Sequence, residues 1–571
     1  MLITAAALAS TPGLTGCGSK AASNPPDAAG TGAAPDGGGA RGGSGGTAGA
    51  SAAGTGGGAG GDVAGGAGGG AGRGGTGGSS AGRGGAGGSA AGTGGAGRGG
   101  AGGSSAGTGG SVGTGGASVA FPLVASSNGR YLQDQSGTPV PILGRTAWFL
   151  LSRPVADYGD FLTDTLSRGY NAIEVTVMPH DLRGNNPPHN GANDVPFLKR
   201  LDGGTWSGSL SYTNASTEAP DFTTPNEAYW SFVDTFLATC ESRGVLVFLF
   251  PAYIGATAGD EGWGQEILAN GPTRMTTYGA FIASRYKSRK NIVWMAGGDM
   301  GTGSYPFSQA LTDAENGLLT GMKSVSGQSS VHFSAEWASE SIGTDQTSFG
   351  SLMTLNGTYS WTGKEATQGR RAYGHTPALP SYLLEEPYDE EGPDGNAVNP
   401  NATQPVRRFQ WWGWLTTIGG YISGNGYVWV FKDTPVSWRS HLGTPGTLDM
   451  GRLNAFIRSI SWWQLVPSGL SGLKTLVTAG GGSDGDAGYV SAAATPTGTL
   501  LVAYVPPAHS GTVTIDMTAM SGANVRARWF NPTTAAYTTI GTYPNTGSQA
   551  FTPPGDNGSG NADWVLVLDL Q

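Results

Sequence analysis

The chain has 571 residues, 103 of them glycine, and its 31 Lys and Arg against 40 Asp and Glu leave a net charge of −9. That balance gives no basic footprint for nucleic acid, and no run of eighteen apolar residues supports a transmembrane helix. Two cysteines, Cys17 and Cys240, provide neither a disulfide framework nor a CxxC metal motif.

Residues 1–9 are apolar but too few to span a bilayer, and they run into Leu14-Thr15-Gly16-Cys17. This resembles the lipobox of bacterial lipoproteins, in which the cysteine is lipidated and becomes the mature N-terminus. Residues 1–17 are therefore expected to be a signal peptide, with Cys17 the lipidation site. The implied location is the bacterial cell envelope outside the cytoplasm, or secretion, with the membrane touched only through the anchor. Residues 18–120 are almost entirely Gly, Ala, Ser and Thr, and the first aromatic residue is Phe121. Such a segment cannot bury enough apolar area to offset the entropy of ordering, so a disordered linker is expected.

From Phe121 the pattern changes. Residues 129–137 read as a hairpin and 141–149 as a first buried strand. Tyr158, Phe161, Leu162, Thr165 and Leu166 stand at helical spacing, Arg168-Gly169 stops that helix, and 171–177 is a second strand. Tyr229, Phe232, Val233, Phe236, Leu237 and Cys240 form another helical face before a strand at 245–250. A helix over 275–286 feeds a fourth strand at 291–297, and runs at 331–335, 352–355, 382–384 and 426–431 complete eight. Strand and helix alternation of this kind predicts an α/β fold, a (β/α)8 TIM barrel over 121–470. An open doubly wound sheet is the alternative, but no GxGxxG follows the first strand. After Leu473 short strands at 500–505, 512–517, 525–530 and 564–568 predict a small antiparallel β-sandwich over 471–571.

The chemistry gathers at two strand ends. Asn291-Ile292-Val293-Trp294-Met295-Ala296-Gly297-Gly298-Asp299 is a buried strand that breaks at two glycines and then presents a carboxylate. Leu383-Leu384-Glu385-Glu386-Pro387-Tyr388 closes the seventh apolar run with two more acids. Barrel active sites lie at the C-terminal strand ends, and a carboxylate from each of two strands suits glycosidic bond hydrolysis. Glu336, after the fifth strand, is a candidate for sugar hydroxyls or a solvated acid. Trp148, Tyr253, Trp361 and Trp429 are sugar platforms or core packing, and His180, His189 and Asn190 lie in a polar loop. Asp389, Glu390, Glu391 and Asp394 match no EF-hand spacing and read as a solvated loop. No metal ligand set or cofactor motif is expected.

Several motifs together, Gly144-Arg145-Thr146-Ala147-Trp148, Tyr170-Asn171-Ala172-Ile173, Arg285 through Trp294 with its Gly-Gly-Asp, and Glu386-Pro387-Tyr388, resemble the apiosidase-like glycoside hydrolase family over 121–465. The resemblance implies a glycoside hydrolase acting on a plant or microbial polysaccharide or oligosaccharide. It implies Asp299 and Glu386 as the catalytic pair; Glu386, ending an apolar strand before a proline, is the expected nucleophile of a retaining mechanism and Asp299 its acid and base. Alternation along the seventh strand separates Glu385 from Glu386, and favours Glu386. Trp148, His180, Tyr253, Glu336, Tyr388 and Trp429 are the expected substrate contacts. Arg145 stands where the family pattern has an aspartate, which would alter the sugar pocket. Val525 through Pro532 and Asp563 through Asp569 resemble a collagen-binding-type module that follows such barrels, as a structural cap or a ligand-binding unit. A non-catalytic surface binding protein on the same scaffold is the alternative reading.

Overall fold

The computed structural model of the protein describes residues 119–181, 187–258, 262–327, 331–360, 362–385, 387–390, 403–434 and 437–570. Eight parallel strands form the barrel: β1 (Ile142–Thr146), β2 (Ala172–Thr176), β3 (Leu246–Phe250), β4 (Ile292–Gly297), β5 (His332–Glu336), β6 (Asn356–Tyr359), β7 (Ser381–Leu383) and β8 (Ile418–Ser423). They pair in the order β5-β4-β3-β2-β1-β8-β7-β6. Phe333 O closes the ring by accepting from Thr354 N at 2.9 Å and Leu355 N at 3.0 Å.

Helices α1 (Val155–Ser167), α2 (Glu227–Ser242), α3 (Gly264–Tyr286), α4 (Gln309–Ser324), α5 (Glu365–Gly374), α6 (Thr403–Thr417) and α7 (Pro445–Arg458) cover the outside. Alternation sorts the strand residues between two cores. Ile173 and Val175 face outward among helix residues such as Phe161 and Phe236. Ala172 joins Phe248, Phe250, Met295, Tyr382 and Leu384 inside the barrel. Glu174, between Ile173 and Val175, therefore faces inward.

Three details differ from the sequence reading. The eighth strand is Ile418–Ser423, whereas 426–431 is a run of turns. The glycine pair of β8 hides it from pattern reading, yet a Cβ on Gly420 (φ 144°) would sit 2.0 Å from Ile142 O, so close backbone approach requires glycine there. The sixth strand begins at Asn356, not at 352, and no α-helix joins β5 to β6. The short strand Ser341–Ile342 occupies that connection, antiparallel to β6.

In the C-terminal region a six-stranded and a three-stranded antiparallel sheet enclose Leu501, Ala503, Ile515, Trp529 and Phe551. The opposite face of the larger sheet is buried on the barrel. Tyr504, Phe530, Val565 and Val567 share one core with Trp411 and Trp414 of α6 and Phe456 of α7. Trp411 stacks on Tyr504 with ring planes 3° apart. Arg407 of α6 reaches both Asp563 oxygens at 2.6 Å and Asp449 of α7 at 2.7 Å. Of the two roles expected for this module, the structure displays the cap.

Candidate active site

The C-terminal ends of β1, β3, β4, β5 and β7, with the middle of β2, converge on one buried group of acids. After β4 the chain passes through Gly297 (φ 84°) and Gly298 (φ 119°) to Asp299, itself at φ 55°. Side chains at the two glycines would collide: a Cβ on Gly297 would lie 2.3 Å from Glu336 O, and one on Gly298 2.5 Å from the Tyr253 ring. Three consecutive positive φ values carry Asp299 over the barrel mouth instead of outward along the strand. Tyr253, beyond β3, donates its hydroxyl to Asp299 Oδ2 at 2.5 Å.

Across the mouth, Glu385 Oε2 accepts from Trp148 Nε1 at 2.8 Å and from the Tyr388 hydroxyl at 2.6 Å. The Trp148 and Tyr253 rings meet edge-on at 5.0 Å, so one aromatic wall carries the donors to both Asp299 and Glu385. Glu386 lies outside the described residues. The alternation argument that favoured it does not reach this point, because β7 ends at Leu383. Trp361 also lies outside them.

Glu174 and Glu336 complete the group, each fully buried. One oxygen each of Glu174, Glu336 and Glu385 lies within 4.8 Å of the others, a spacing at which the three could hold a cation. Four carboxylates shielded from water cannot all be charged. Two charges 4.8 Å apart repel by about 3.5 kcal/mol at an effective dielectric of about 20. Burial, with Asp299 alongside, pushes Glu174 up to about 8. Burial and then the charges of Glu174 and Asp299 also raise Glu385 well above the usual carboxylate range, while its two donors act in the opposite sense. Neither oxygen of Glu174 has a hydrogen-bond partner among the described residues. One proton is thus best placed on Glu174 and the charge on Glu385, which has donors to hold it, and the form of the site in which Asp299 acts as an acid carries a second proton.

Of the residues expected to touch substrate, Trp148, Tyr253, Glu336 and Tyr388 belong to this group. His180 does not: its Nε2 lies 3.0 Å from Glu266 of α3 and its ring packs on Trp263, in the layer outside the barrel. Trp429 is fully buried against Phe149 beyond β8. Asn190 organises its own loop by accepting from Ala192 N and Asp194 N. Arg145 points away from the mouth, paired to Asp164 of α1 at 2.7 Å and set over the Phe161 and Tyr170 rings, so it does not shape a sugar pocket there. Asp389 and Glu390 are buried rather than solvated, and burial pushes Asp389 up to about 7. Glu391 and Asp394 lie outside the described residues. Sequence reasoning passed over Glu174, although an acid at an inward position of an otherwise apolar strand, Ala172-Ile173-Glu174-Val175, was a usable signal.

An eight-stranded parallel barrel with an aspartate after β4 and a glutamate after β7 at its mouth defines the class, a barrel glycoside hydrolase. Residues 126–464 match the family described as Apiosidase-like, catalytic domain, and the chain belongs to that family. Residues 481–569 match a family named for the collagen-binding domain of a collagenase. A crystal structure of a glycoside hydrolase family 5 protein from Bacteroides vulgatus is similar at a TM-score of 0.61 and 18% identity, over 79% of this chain and 95% of that one. Another structure, described as a glycoside hydrolase, gives 0.61 and 20% over 79% and 98%. Identity at this level speaks to the fold. No curated protein matches the chain.

Proposed function

We propose that the protein hydrolyses a glycosidic bond in a plant or microbial polysaccharide with retention of configuration. Asp299 acts first as acid and then as base, and a glutamate of the Glu385-Glu386 pair is the nucleophile. The observation that carries this reading is the paired setting of two acids across one aromatic wall, Asp299 against Tyr253 and Glu385 against Trp148 and Tyr388. Of the two glutamates, the described geometry supports Glu385. Its two donors hold the carboxylate oriented, leaving the other oxygen to attack the anomeric carbon as Asp299 protonates the departing oxygen. Water, deprotonated by Asp299, then cleaves the glycosyl-enzyme ester.

The test is incubation with a panel of complex glycans, apiose-containing pectic material among them, with released sugars as the readout. Glu385→Ala should abolish release and Glu386→Ala should spare it; the reverse moves the nucleophile by one position. Azide should rescue Glu385→Ala and Asp299→Ala to glycosyl azides of opposite anomeric configuration. Release that survives loss of Asp299 and of each glutamate would overturn the mechanism, and binding without release would favour the non-catalytic binder.

The lipobox-like Leu14-Thr15-Gly16-Cys17 and the glycine-rich segment after it support attachment through Cys17, which lies outside the described residues. Cys17→Ser should move the protein from the membrane fraction to the soluble one, since stable attachment needs the acyl chains. Unchanged fractionation would reject the anchor.

A further inference from the structure

A cavity opens along the segment that follows Asp299. It is a cleft of about 600 Å³ between the segment after Asp299, including Thr302 and Ser304, and the β5–β6 connection, including Glu340 and Gln346, with Arg371 of α5 also in its lining. That volume is typical of sites that hold small molecules. The cleft belongs to the same end of the barrel. Gly301 is two residues beyond Asp299, and consecutive Cα atoms are at most about 3.8 Å apart, so the cleft wall begins within about 8 Å of the proposed acid.

Its walls are built rather than incidental. Glu340 is held at φ 66° while its carboxylate accepts from Ser360 at 3.0 Å, Thr362 at 2.5 Å and Gln368 at 3.2 Å. Backbone strain of this kind persists only where the surroundings over-determine it. Arg371 is fixed by both Asp345 oxygens at 2.7 and 3.0 Å. Thr302 Oγ1 is buried with no hydrogen-bond partner among the described residues, although it lines the cleft. Gly303, with φ 54°, has nothing within 4 Å of where a Cβ would lie.

The chemistry of the lining limits what fits. Hydroxyls, an amide and charges line the cleft, and among the described residues its one cation, Arg371, is matched by Asp345 with Glu340 left over, so a uronate carboxylate finds no spare positive charge among them. We propose that this cleft is a second sugar-binding region, holding a neutral, hydroxyl-rich unit of the glycan next to the unit engaged at Asp299. The inference rests on the hydrolase reading and deepens it by naming a neutral unit as the neighbour of the one engaged at Asp299.

The experiment uses the full chain carrying Asp299→Asn, run in native gels containing xyloglucan, arabinoxylan, galactomannan or polygalacturonate. Retardation by at least one neutral polysaccharide is expected. Adding Ser304→Trp, an exposed position whose indole would fill the cleft, should weaken that retardation about fivefold or more, the loss of roughly 1 kcal/mol of contact. Thr302→Val should weaken it in the same direction, and both variants should melt with their parent. Retardation indifferent to Ser304→Trp, retardation by polygalacturonate alone, or none in any gel would overturn the proposal. Sugar release by the unmodified protein, with retardation unchanged by Ser304→Trp, would sink the cleft and leave the hydrolase reading. Retardation lost in Ser304→Trp, with no sugar release from any glycan, would do the opposite.

Discussion

Glu174→Gln isolates the electrostatic argument, because glutamine keeps the size and hydrogen-bonding shape of a protonated glutamate but has no proton to lose. In the folded protein burial and Asp299 push Glu174 up to about 8, against 4.5 for the ordinary side chain. That gap, about 3.5 units at about 1.36 kcal/mol each, corresponds to roughly 5 kcal/mol. A folded-state value raised above the unfolded one means that the folded chain binds more protons between pH 4.5 and 8. The stabilising effect of the proton is complete below about pH 4.5 and is lost as pH rises through about 8. Wild type should therefore lose stability over that window through this group, and the glutamine variant should not. Urea denaturation followed by near-UV circular dichroism from pH 4 to pH 9 measures the difference. The two proteins should be nearly equal at pH 4, with the variant ahead by several kcal/mol at pH 9. A difference independent of pH, or one that grows in favour of wild type, would refute the placement of the proton on Glu174.

Gly298→Ala should cost about 1–3 kcal/mol in backbone strain and press its methyl into Tyr253, moving the hydroxyl that Asp299 accepts. Turnover on an accepted glycan should fall at least tenfold, a loss of about 1.4 kcal/mol of barrier stabilisation, and undiminished turnover would show that the glycine pair does not position the acid. Arg407→Ala leaves Asp563 buried without its cation, while Asp449 keeps Arg452, and should destabilise the protein by about 3–5 kcal/mol. The double variant Arg407→Met, Asp563→Leu should recover part of that loss. If the single variant unfolds at the wild-type urea concentration, the buried pair does not join the C-terminal region to the barrel.

The sequence by itself determined the strand and helix alternation of the barrel, the Gly-Gly-Asp presentation of Asp299 and the location of a glutamate after the seventh strand. These are local properties: periodicities of two and 3.6 residues and a glycine pair can be read within a dozen positions. Where a signal depended on distant backbone, pattern reading misled. Gly420 lies against Ile142 in a strand that looks weak on paper, while Tyr427-Val428-Trp429-Val430-Phe431 looks like a strand and forms turns whose side chains fill both cores. Tertiary structure alone decided that Arg145 faces α1, that His180 is held by Glu266, and that Glu174 belongs with Asp299 and Glu385. The charge pattern of the site is the clearest instance. Trp148 reaches Glu385 across 237 positions of chain, and it is that donor, with Tyr388, that separates a carboxylate able to hold a charge from Glu174, which has no donor among the described residues. Ionisation energies depend on distances in space and on exclusion of water, and neither exists until the barrel has closed.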